Sequence, residues 1–344
     1  MYRLCVIVPA KDEGVVIGDT LRSLIEAKVP PRDIYVIDDG SSDKTQEIAQ
    51  SFGVNTLRNE VNVGKASSIS RANEKFSLTS RYDFIALMDA DTRVNKGYFK
   101  AVKRSFVKDQ KVVLVCGQPK SRPYNWLTAY RCFGYSFMSF VYRGGQSAMG
   151  VISVAPGCAT TYRSTIFGQL DWNSDTIVED MDVTIQVHHK NLGKIVYQED
   201  AIVHTQDPRN IRDYIKQMYR WDTGMWQVVK KYHMMTGIRK IDWEYKLLLG
   251  EGMLFALIYM LMPLWLLLFT KAALLALSFD LLLTVSLSLC IGIFNKRKDV
   301  FLYSPVYPLL RLVDCTVFLY SFWKIVMRRQ KILTWFAVNR YEST

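Results

Sequence analysis

The first half of the chain alternates short, continuously apolar runs with stretches whose apolar residues recur at helical spacing. Such runs are typical of strands covered on both faces, and their alternation with helices predicts an α/β fold with a mostly parallel sheet. Functional side chains of such a sheet lie at the carboxyl ends of its strands. The predicted strands are 4–8, 34–37, 84–88 and 112–115, and the predicted helices include 15–27 and 43–51.

The pattern changes after residue 208. Between 210 and 233 apolar positions recur at helical spacing with basic residues between them, which predicts an amphipathic helix at a bilayer surface. The apolar runs 247–269 and 272–294 are each long enough to cross the ~30 Å hydrocarbon core of a membrane as a helix. We therefore expect two transmembrane helices.

A third apolar run, 300–327, is interrupted by prolines and by Arg311 and Asp314. A full third span would place the basic run that follows it on the outside, against the positive-inside tendency. We expect an interfacial or re-entrant element here, or a pair between Arg311 and Asp314 that faces protein. The aromatic-rich stretch 124–143 fits a core helix, a membrane-interface helix or a sugar-stacking surface, and its spacing does not choose between them.

These patterns divide the chain into four parts. They are an α/β catalytic domain over 1–208, interfacial helices over 209–243, a membrane region over 244–327 and a basic tail over 328–344.

The chain is basic, with a formal net charge of +12. Its basic clusters flank the apolar runs, which favours contact with anionic headgroups on the cytoplasmic side of a membrane and argues against a nucleic-acid partner. The run 4–8 is too short for a signal peptide, so we expect a multi-pass protein of the cell membrane with its catalytic part in the cytoplasm. The six cysteines form no CxxC pair, which argues against zinc and a disulfide framework.

Pairs of carboxylates follow two of the predicted strands. Asp38 and Asp39 follow the run 34–37, and Asp89 and Asp91 follow the run 84–88. Carboxylate oxygens can hold a hard divalent cation, which would neutralise the charge of a departing diphosphate. A lone DxD motif is more often a helix cap or a turn, but its place directly after a buried strand favours a metal site.

Segments 6–13, 36–45, 62–65 and 89–91 resemble, in this order, the nucleotide-sugar half of family 2 glycosyltransferases, which have a GT-A fold. The resemblance covers roughly residues 3–225. It implies that the first acidic pair faces the nucleobase and ribose and that the DxD motif holds Mn²⁺ or Mg²⁺ on the diphosphate. Which carboxylate of each pair makes direct contact is left open. The implied donor-binding residues are Pro9, Glu13, Asp38, Asp39, Lys65 and Asp89, and the implied metal ligands are Asp89 and Asp91.

Two later motifs extend the resemblance. Glu179 and Asp180 stand where the family carries its ED motif, whose Asp is similar to a general base, so the likeness implies that both residues are catalytic. Acids at this spacing are otherwise typical of a helix N-terminus. Gly157 stands where the family has a small-residue acceptor loop, although a plain turn explains it equally well.

The segment 217–221 matches the QxxRW motif of membrane synthases of cellulose, chitin, hyaluronan and poly-N-acetylglucosamine, and it also resembles the motif of ceramide glucosyltransferases. By that likeness Arg220 binds the donor diphosphate, and Gln217 and Trp221 face the acceptor sugar. The three residues share one face of a helix. A helix anchored in the membrane interface by Trp and Arg is the simpler alternative.

The expected function is inverting transfer of N-acetylglucosamine or glucose from a UDP-sugar to a growing β-linked polysaccharide. Non-processive transfer to a lipid such as ceramide, diacylglycerol or a polyprenyl phosphate keeps the same chemistry, and a non-catalytic subunit of a synthase complex would carry a broken site. The large polymer synthases usually carry membrane helices before the catalytic domain, and this chain begins with the first strand. For export we therefore expect a homo-oligomer or a membrane partner subunit, unless the product does not cross here.

Overall fold

The computed structural model of the protein describes residues 2–172, 175–333 and 339–342. The strands are β1 Leu4–Ala10, β2 Ile34–Asp38, β3 Asn55–Arg58, β4 Phe84–Leu87, β5 Arg93–Val94, β6 Val112–Ser121, β7 Thr160–Arg163 and β8 Lys194–Thr205. The helices are α1 Ile17–Glu26, α2 Thr45–Ser51, α3 Lys65–Phe76, α4 Leu78–Arg81, α5 Tyr98–Lys108, α6 Trp126–Phe137, α7 Gly144–Met149, α8 Ser164–Phe167, α9 Glu179–His189, α10 Ile211–Lys231, α11 Lys240–Leu268, α12 Thr270–Asn295, α13 Lys298–Leu302 and α14 Tyr307–Phe322.

Shorter helical segments connect several of these elements. A π-helical stretch, Met138–Arg143, joins α6 to α7, and a second one, Trp323–Met327, follows α14. Single 3₁₀ turns precede β2 and α14, at Pro31–Asp33 and Ser304–Val306. The aromatic-rich stretch 124–143 is therefore mostly helix, and the buried side chains of α6 give it the character of a core helix.

All eight strands belong to one sheet in the order β3-β2-β1-β4-β7-β6-β8-β5. The half formed by β3, β2, β1 and β4 is parallel, and β6 and β8 are also parallel to each other. Strand β7 is antiparallel to both of its neighbours, and β5 is antiparallel to β8. The predicted α/β class is confirmed, with a sheet that is more mixed than the sequence pattern indicated.

Apolar layers on both faces of the sheet explain the continuous apolar runs. Val6 and Val8 of β1 belong to the cluster on one face, and Cys5 and Ile7 belong to the cluster on the other. Each fully buried side chain of this kind contributes about 1.5–3 kcal/mol. The register is therefore fixed, because a shift by one residue would exchange the two faces.

Helices α11 and α12 are long and apolar enough to cross a membrane. Little of their apolar surface is covered by other parts of the protein, as a bilayer-facing surface requires. The two helices contain most of the runs 247–269 and 272–294 and begin or end within a few residues of them. They pack against each other, and the Tyr259 hydroxyl donates to Asp280 across the pair at 2.7 Å.

The third apolar run is broken into α13, a 3₁₀ turn and α14, and α14 packs against α10 and α11. The expected pair between Arg311 and Asp314 is wrong. Arg311 forms its ion pair with Asp280 of α12. Asp314 accepts hydrogen bonds from Tyr130 of α6 at 2.7 Å and from Tyr214 of α10 at 2.6 Å. Both charges do face protein, but α14 packs between two sets of partners, so each charge meets a different neighbour.

Candidate active site

The carboxyl ends of β1, β2 and β4 meet at one edge of the sheet and carry the first two acidic motifs. Ala10, the last residue of β1, lies beside Asp38 in the register, and the amide of Met88 donates to Ile7 of β1 at 3.1 Å. Asp89 and Asp91 follow directly in a turn that Thr20 of α1 holds by donating to the carbonyl of Ala90 at 2.6 Å. The parallel topology therefore brings these carboxylates to a common edge.

The two members of the first pair have different surroundings. Asp39 accepts from the side chain of Asn59 at 2.9 Å and from the amides of Val63 and Gly64 at 2.9 and 2.8 Å, so it holds the loop before α3. Asp38 accepts from the amide of Ser41 through Oδ1 at 2.8 Å. Its buried Oδ2 accepts no hydrogen bond within the described part of the chain. This oxygen lies 3.6 Å from Nε of Arg58, so an ion pair holds it, whereas hydrogen bonds hold both oxygens of Asp39.

Lys65 lies between the DxD and ED motifs. It is the first residue of α3, and its ammonium nitrogen is 2.6 Å from a carboxylate oxygen of Asp89 and 2.6 Å from one of Glu179. Burial lowers the pKa of Lys65, but these two carboxylates outweigh it and hold the pKa well above its ordinary value. The resemblance implies that Lys65 binds the donor, and the structure places its charge between Asp89 and Glu179.

Arg340, in the C-terminal segment 339–342, is a residue that sequence reasoning missed. Its guanidinium makes two parallel bonds of 2.7 Å to the carboxylate of Glu13 and also donates to Asp91. Tyr341 anchors the segment through paired bonds with Gln206 and a bond of 2.9 Å to the carbonyl of Asp207. The sequence describes this region only as a basic tail, and no motif marks Arg340.

Burial and these ion pairs set the protonation of the acids. Burial raises the pKa of Glu13 to about 7, although Arg340 opposes the rise. Burial and the charge of Asp89 raise the pKa of Asp91, whereas the charge of Arg340 lowers it. For Asp89, burial acts in the same direction, but Lys65 overcomes it and holds the pKa of that carboxyl below its usual range. Asp89 is therefore the acid most firmly ionised.

Asp180 lies in the first turn of α9 beside Gly157. The amide of Gly157 donates to its Oδ2 at 3.0 Å. Burial first, and then the neighbouring carboxylate of Glu179, raise the pKa of Asp180 to about 6. A carboxyl with a pKa near neutrality can take a proton from a hydroxyl and later release it.

A side chain at Gly157 would displace the end of Lys65. A Cβ atom there would lie 2.8 Å from the ammonium of Lys65 and 3.5 Å from a carboxylate oxygen of Glu179. The absence of a side chain allows Lys65, Glu179 and Asp180 to converge on this segment of backbone. Gly157 therefore lies against the acidic centre, which consists of Asp89, Glu179 and Asp180 around Lys65, and it is more than a surface turn.

Helix α10 brings the QxxRW residues to the site. Burial lowers the pKa of Arg220, and the carboxylates of Glu179, Asp89 and Asp180 oppose this, which places its charge toward the acidic centre. Trp221 stacks on the guanidinium of Arg131, 4.6 Å from the ring centre. Gln217 is buried, and its carbonyl oxygen accepts no hydrogen bond within the described residues.

The acids of the DxD turn have the chemistry for a divalent cation. Mg²⁺ is usually bound by one or two carboxylates plus substrate phosphates, and Asp89 and Asp91 supply two. Among residues 2–172, 175–333 and 339–342 no group of three or more ligand side chains is assembled, so further oxygens would have to come from the diphosphate. Arg340 and Lys65 now neutralise the charge that a cation would neutralise there.

Comparison with known proteins gives matches by sequence and by structure. The sequence profile described as Glycosyl transferase family 2 matches residues 5–171. A poly-beta-1,6-N-acetyl-D-glucosamine synthase of Staphylococcus epidermidis is 27% identical over 254 residues, 68% of this chain and 60% of the relative. The synthase of the same name from Staphylococcus aureus (strain COL) is 26% identical over 224 residues, 63% of this chain and 53% of the relative.

Among solved structures, a mannosyltransferase of Pyrobaculum calidifontis in complex with GDP-Man and Mn²⁺ matches with a TM-score of 0.61 and 16% identity. The match covers 90% of this chain and 87% of that one, and it shows a shared fold. The chain spans between half and two thirds of the length of the two synthases.

Proposed function

Residues 5–171 form a family 2 glycosyltransferase domain, and from that premise we propose that the protein is a membrane-bound inverting glycosyltransferase. It transfers N-acetylglucosamine or glucose from a UDP-sugar to a growing β-linked polysaccharide. The observation that carries the proposal is Asp180, a partly buried carboxylate that accepts from the amide of Gly157 and has its pKa raised to about 6 near the charges of Glu179 and Arg220. The names of the two staphylococcal synthases support N-acetylglucosamine and a polysaccharide product.

In the proposed reaction the donor lies along the carboxyl edge of the sheet, and Pro9 and Glu13 line the donor-binding site. Asp38 accepts from the nucleoside, while Asp39 holds the adjoining loop. Arg220 and Lys65 face the diphosphate. A divalent cation held by Asp89 and Asp91 would neutralise charge that develops on the leaving diphosphate.

Asp180 acts on the acceptor. It takes the proton from an acceptor hydroxyl as that oxygen forms a bond to the anomeric carbon. The bond from this carbon to the diphosphate oxygen breaks on the opposite side and leaves its electron pair on the diphosphate. One displacement inverts the configuration, so an α-linked donor gives a β-linked product. Glu179 fixes the ammonium of Lys65 and raises the pKa of Asp180.

We place the acceptor sugar against Trp221, with Gln217 and Gly157 beside it. A Trp ring offers a flat apolar face to a pyranose, and the unpaired carbonyl oxygen of Gln217 can accept from a sugar hydroxyl. Helices α11 and α12 anchor the enzyme in the cell membrane, and the catalytic domain faces the cytoplasm.

Membranes that contain the protein test this function. They are incubated with radiolabelled UDP-N-acetylglucosamine or UDP-glucose, and label is measured in high-mass material and in an organic extract. We expect label in high-mass material with wild type and a loss of about 10²–10⁴-fold with Asp180→Asn. Asp200→Asn is the matched control, because Asp200 of β8 is an exposed acid that pairs with Arg104 of α5.

Other outcomes would change the conclusion. Label that enters only the organic extract would identify a lipid acceptor in place of a polysaccharide. Full turnover by Asp180→Asn would contradict the role of this carboxylate. If wild-type protein turned over neither donor, the enzymatic proposal would fail in favour of a non-catalytic subunit.

A further inference from the structure

Arg131 of α6 is a buried cation enclosed by aromatic rings next to the QxxRW motif. Its guanidinium carbon lies 4.6 Å from the ring centre of Trp221, 4.6 Å from that of Tyr135 and 6.0 Å from that of Tyr214. Only 7% of the residue is exposed. The reaction described above does not use Arg131, although it touches the ring that is proposed to hold the acceptor.

A closed set of hydrogen bonds fixes the plane of this guanidinium. Arg131 donates from Nε to Asp207 at 3.2 Å and from Nη2 to the hydroxyl of Tyr135 at 2.8 Å. That hydroxyl in turn donates to the same oxygen of Asp207 at 3.0 Å. Burial lowers the pKa of Arg131, but Tyr135 and Asp207 outweigh it and raise the pKa above its ordinary value, so the cation is permanent.

The network connects elements that are far apart in the sequence. Asp207 lies in the segment between β8 and α10, and its carbonyl also accepts from Tyr341 of the C-terminal segment. Nη1 of Arg131 contacts the sulfur of Met218, one turn before Trp221 on α10. Arg131 thus ties α6 to α10 at the point where the motif faces the site.

An aromatic ring has two faces, and here the guanidinium covers one of them. Trp221 remains partly exposed, so α6 does not enclose its ring. A sugar that stacks on the ring must use the face opposite Arg131. The guanidinium is a rigid plane fixed by its own hydrogen bonds, so it supports the indole in one orientation, which a flexible ammonium would not do.

We propose that Arg131 is a positioning residue that holds the Trp221 ring in the orientation required to stack on the acceptor sugar. The inference rests on the proposed function, because it assumes that Trp221 contacts the acceptor. It assigns Arg131 no contact with the donor and no part in proton transfer. Loss of the planar guanidinium should therefore weaken acceptor binding and leave donor binding unchanged.

The test uses purified full-length protein in lipid nanodiscs with UDP-N-acetylglucosamine and a β-linked N-acetylglucosamine oligosaccharide. Arg131→Lys keeps the charge and removes the planar fork. Arg163→Lys is the matched control, because Arg163 also stacks on two rings, 5.5 Å from the centre of Phe84 and 5.2 Å from that of Phe106, in the core of the sheet. Acceptor KM, donor KM, kcat, UDP release without transfer and the thermal unfolding midpoint are measured for each.

We expect Arg131→Lys to raise the acceptor KM by about 5–20-fold, to change the donor KM by less than about twofold, and to increase the share of donor lost to hydrolysis. Arg163→Lys should leave both KM values unchanged. In a Trp221→Leu background, Arg131→Lys should add little, because its effect passes through the ring.

An acceptor KM that stays unchanged in a folded Arg131→Lys protein would overturn the inference. The same holds if Arg131→Lys has its full effect in the Trp221→Leu background, since the effect would then not pass through Trp221. A wild type that turns over no UDP-sugar would overturn the proposed function and this inference together. An active wild type with an unaffected Arg131→Lys variant would overturn this inference alone.

Discussion

Asp180 differs from an ordinary surface acid because of the residues that the fold places around it. Its position in the first turn of a helix and the amide of Gly157 both favour the carboxylate, but burial and the charge of Glu179 prevail and raise its pKa to about 6. A single side chain can therefore accept a proton at neutral pH and remain a competent base. The environment of the residue, and not its type, decides this chemistry.

This pKa predicts the pH dependence of the reaction. Below about pH 6 Asp180 is protonated and cannot take the acceptor proton, so kcat/KM should fall about tenfold per pH unit on the acid side and level off above it. The measurement is kcat/KM from pH 5 to pH 8 for transfer to the acceptor. Glu13→Gln is the control, because Glu13 is the other acid with its pKa raised to about 7, and the variant should keep the inflection near 6. A flat profile between pH 5 and pH 7 would contradict the assignment.

Gly157→Ala tests the crowding of the site. The new methyl group would meet the ammonium of Lys65 at 2.8 Å and displace this flexible chain from Asp89 and Glu179. We expect turnover to fall about 10- to 100-fold, with a small change in the free energy of unfolding, because the shift is local. Gly145→Ala on α7, where a methyl group meets nothing within 4 Å, should keep full activity. Equal activity of the two variants would refute the close approach at Gly157.

At the scale of elements, the C-terminal segment 339–342 completes the acidic edge that the sheet begins. Arg340 carries a partly buried cation to the buried acids Glu13 and Asp91, which have no other cation at this distance in the described ranges. Uncompensated buried carboxylates are costly, so the segment stabilises the edge when no donor is bound. A cation and a diphosphate entering the same edge would compete with this guanidinium.

Arg340→Gln tests that competition. Without the guanidinium, the pKa values of Glu13 and Asp91 rise further, but no fixed cation of the protein competes at Asp91 any longer, so Mn²⁺ should displace the protons and bind the nucleotide-free protein at least about threefold more tightly. Free Mn²⁺ is measured by electron paramagnetic resonance in a titration, which needs no turnover. Arg329→Gln removes the same charge from an exposed position earlier in the tail and should leave Mn²⁺ affinity unchanged. Identical affinities for the two variants would contradict the overlap of the two sites.

At the scale of the whole molecule, a mixed α/β domain lies at one end of an apolar helical pair. Helix α10 packs on α14, and α14 packs on α11, so the QxxRW helix is connected to the two candidate membrane-spanning helices through one intervening element. The ion pair of Arg311 with Asp280 links α14 to α12, the second helix of the pair. If these helices span a bilayer as we propose, we expect an acceptor bound near Trp221 to lie close to the membrane surface.

This arrangement predicts the topology of the helical pair. Basic residues flank the outer ends of the pair at Lys240 and Lys296, whereas Lys271, in the first turn of α12, is the single basic residue near the connection between the helices, so this connection should lie on the outside. In a Cys290→Ser background, Lys271→Cys should react with a membrane-impermeant maleimide on intact cells. Lys240→Cys should react only after permeabilisation. Labelling of Lys240→Cys on intact cells would contradict the predicted topology and would indicate that the catalytic domain lies outside.

The local sequence pattern predicts many of the strands and helices and the positions of the acidic motifs after the strands. Continuous apolar runs predicted β1, β2, β4 and the start of β6, because strands buried on both faces need no alternation. The strand β7 was not predicted. Its residues Thr160–Arg163 are polar, and their burial comes from hydrogen-bonded neighbours that lie far away in the sequence.

The sequence by itself determined which chemistry is present: acids after strand ends, the QxxRW residues on one helical face, and two apolar helices of membrane-spanning length. These depend on neighbours within a few residues, and periodicity reports them directly. Only the tertiary structure decided which charges meet. Arg340 pairs with Glu13, 327 positions away in the sequence. Arg311 pairs with Asp280 and not with Asp314, and Arg131 of α6 contacts the ring of Trp221 on α10. Such pairs follow from the packing of whole elements, which no local pattern encodes.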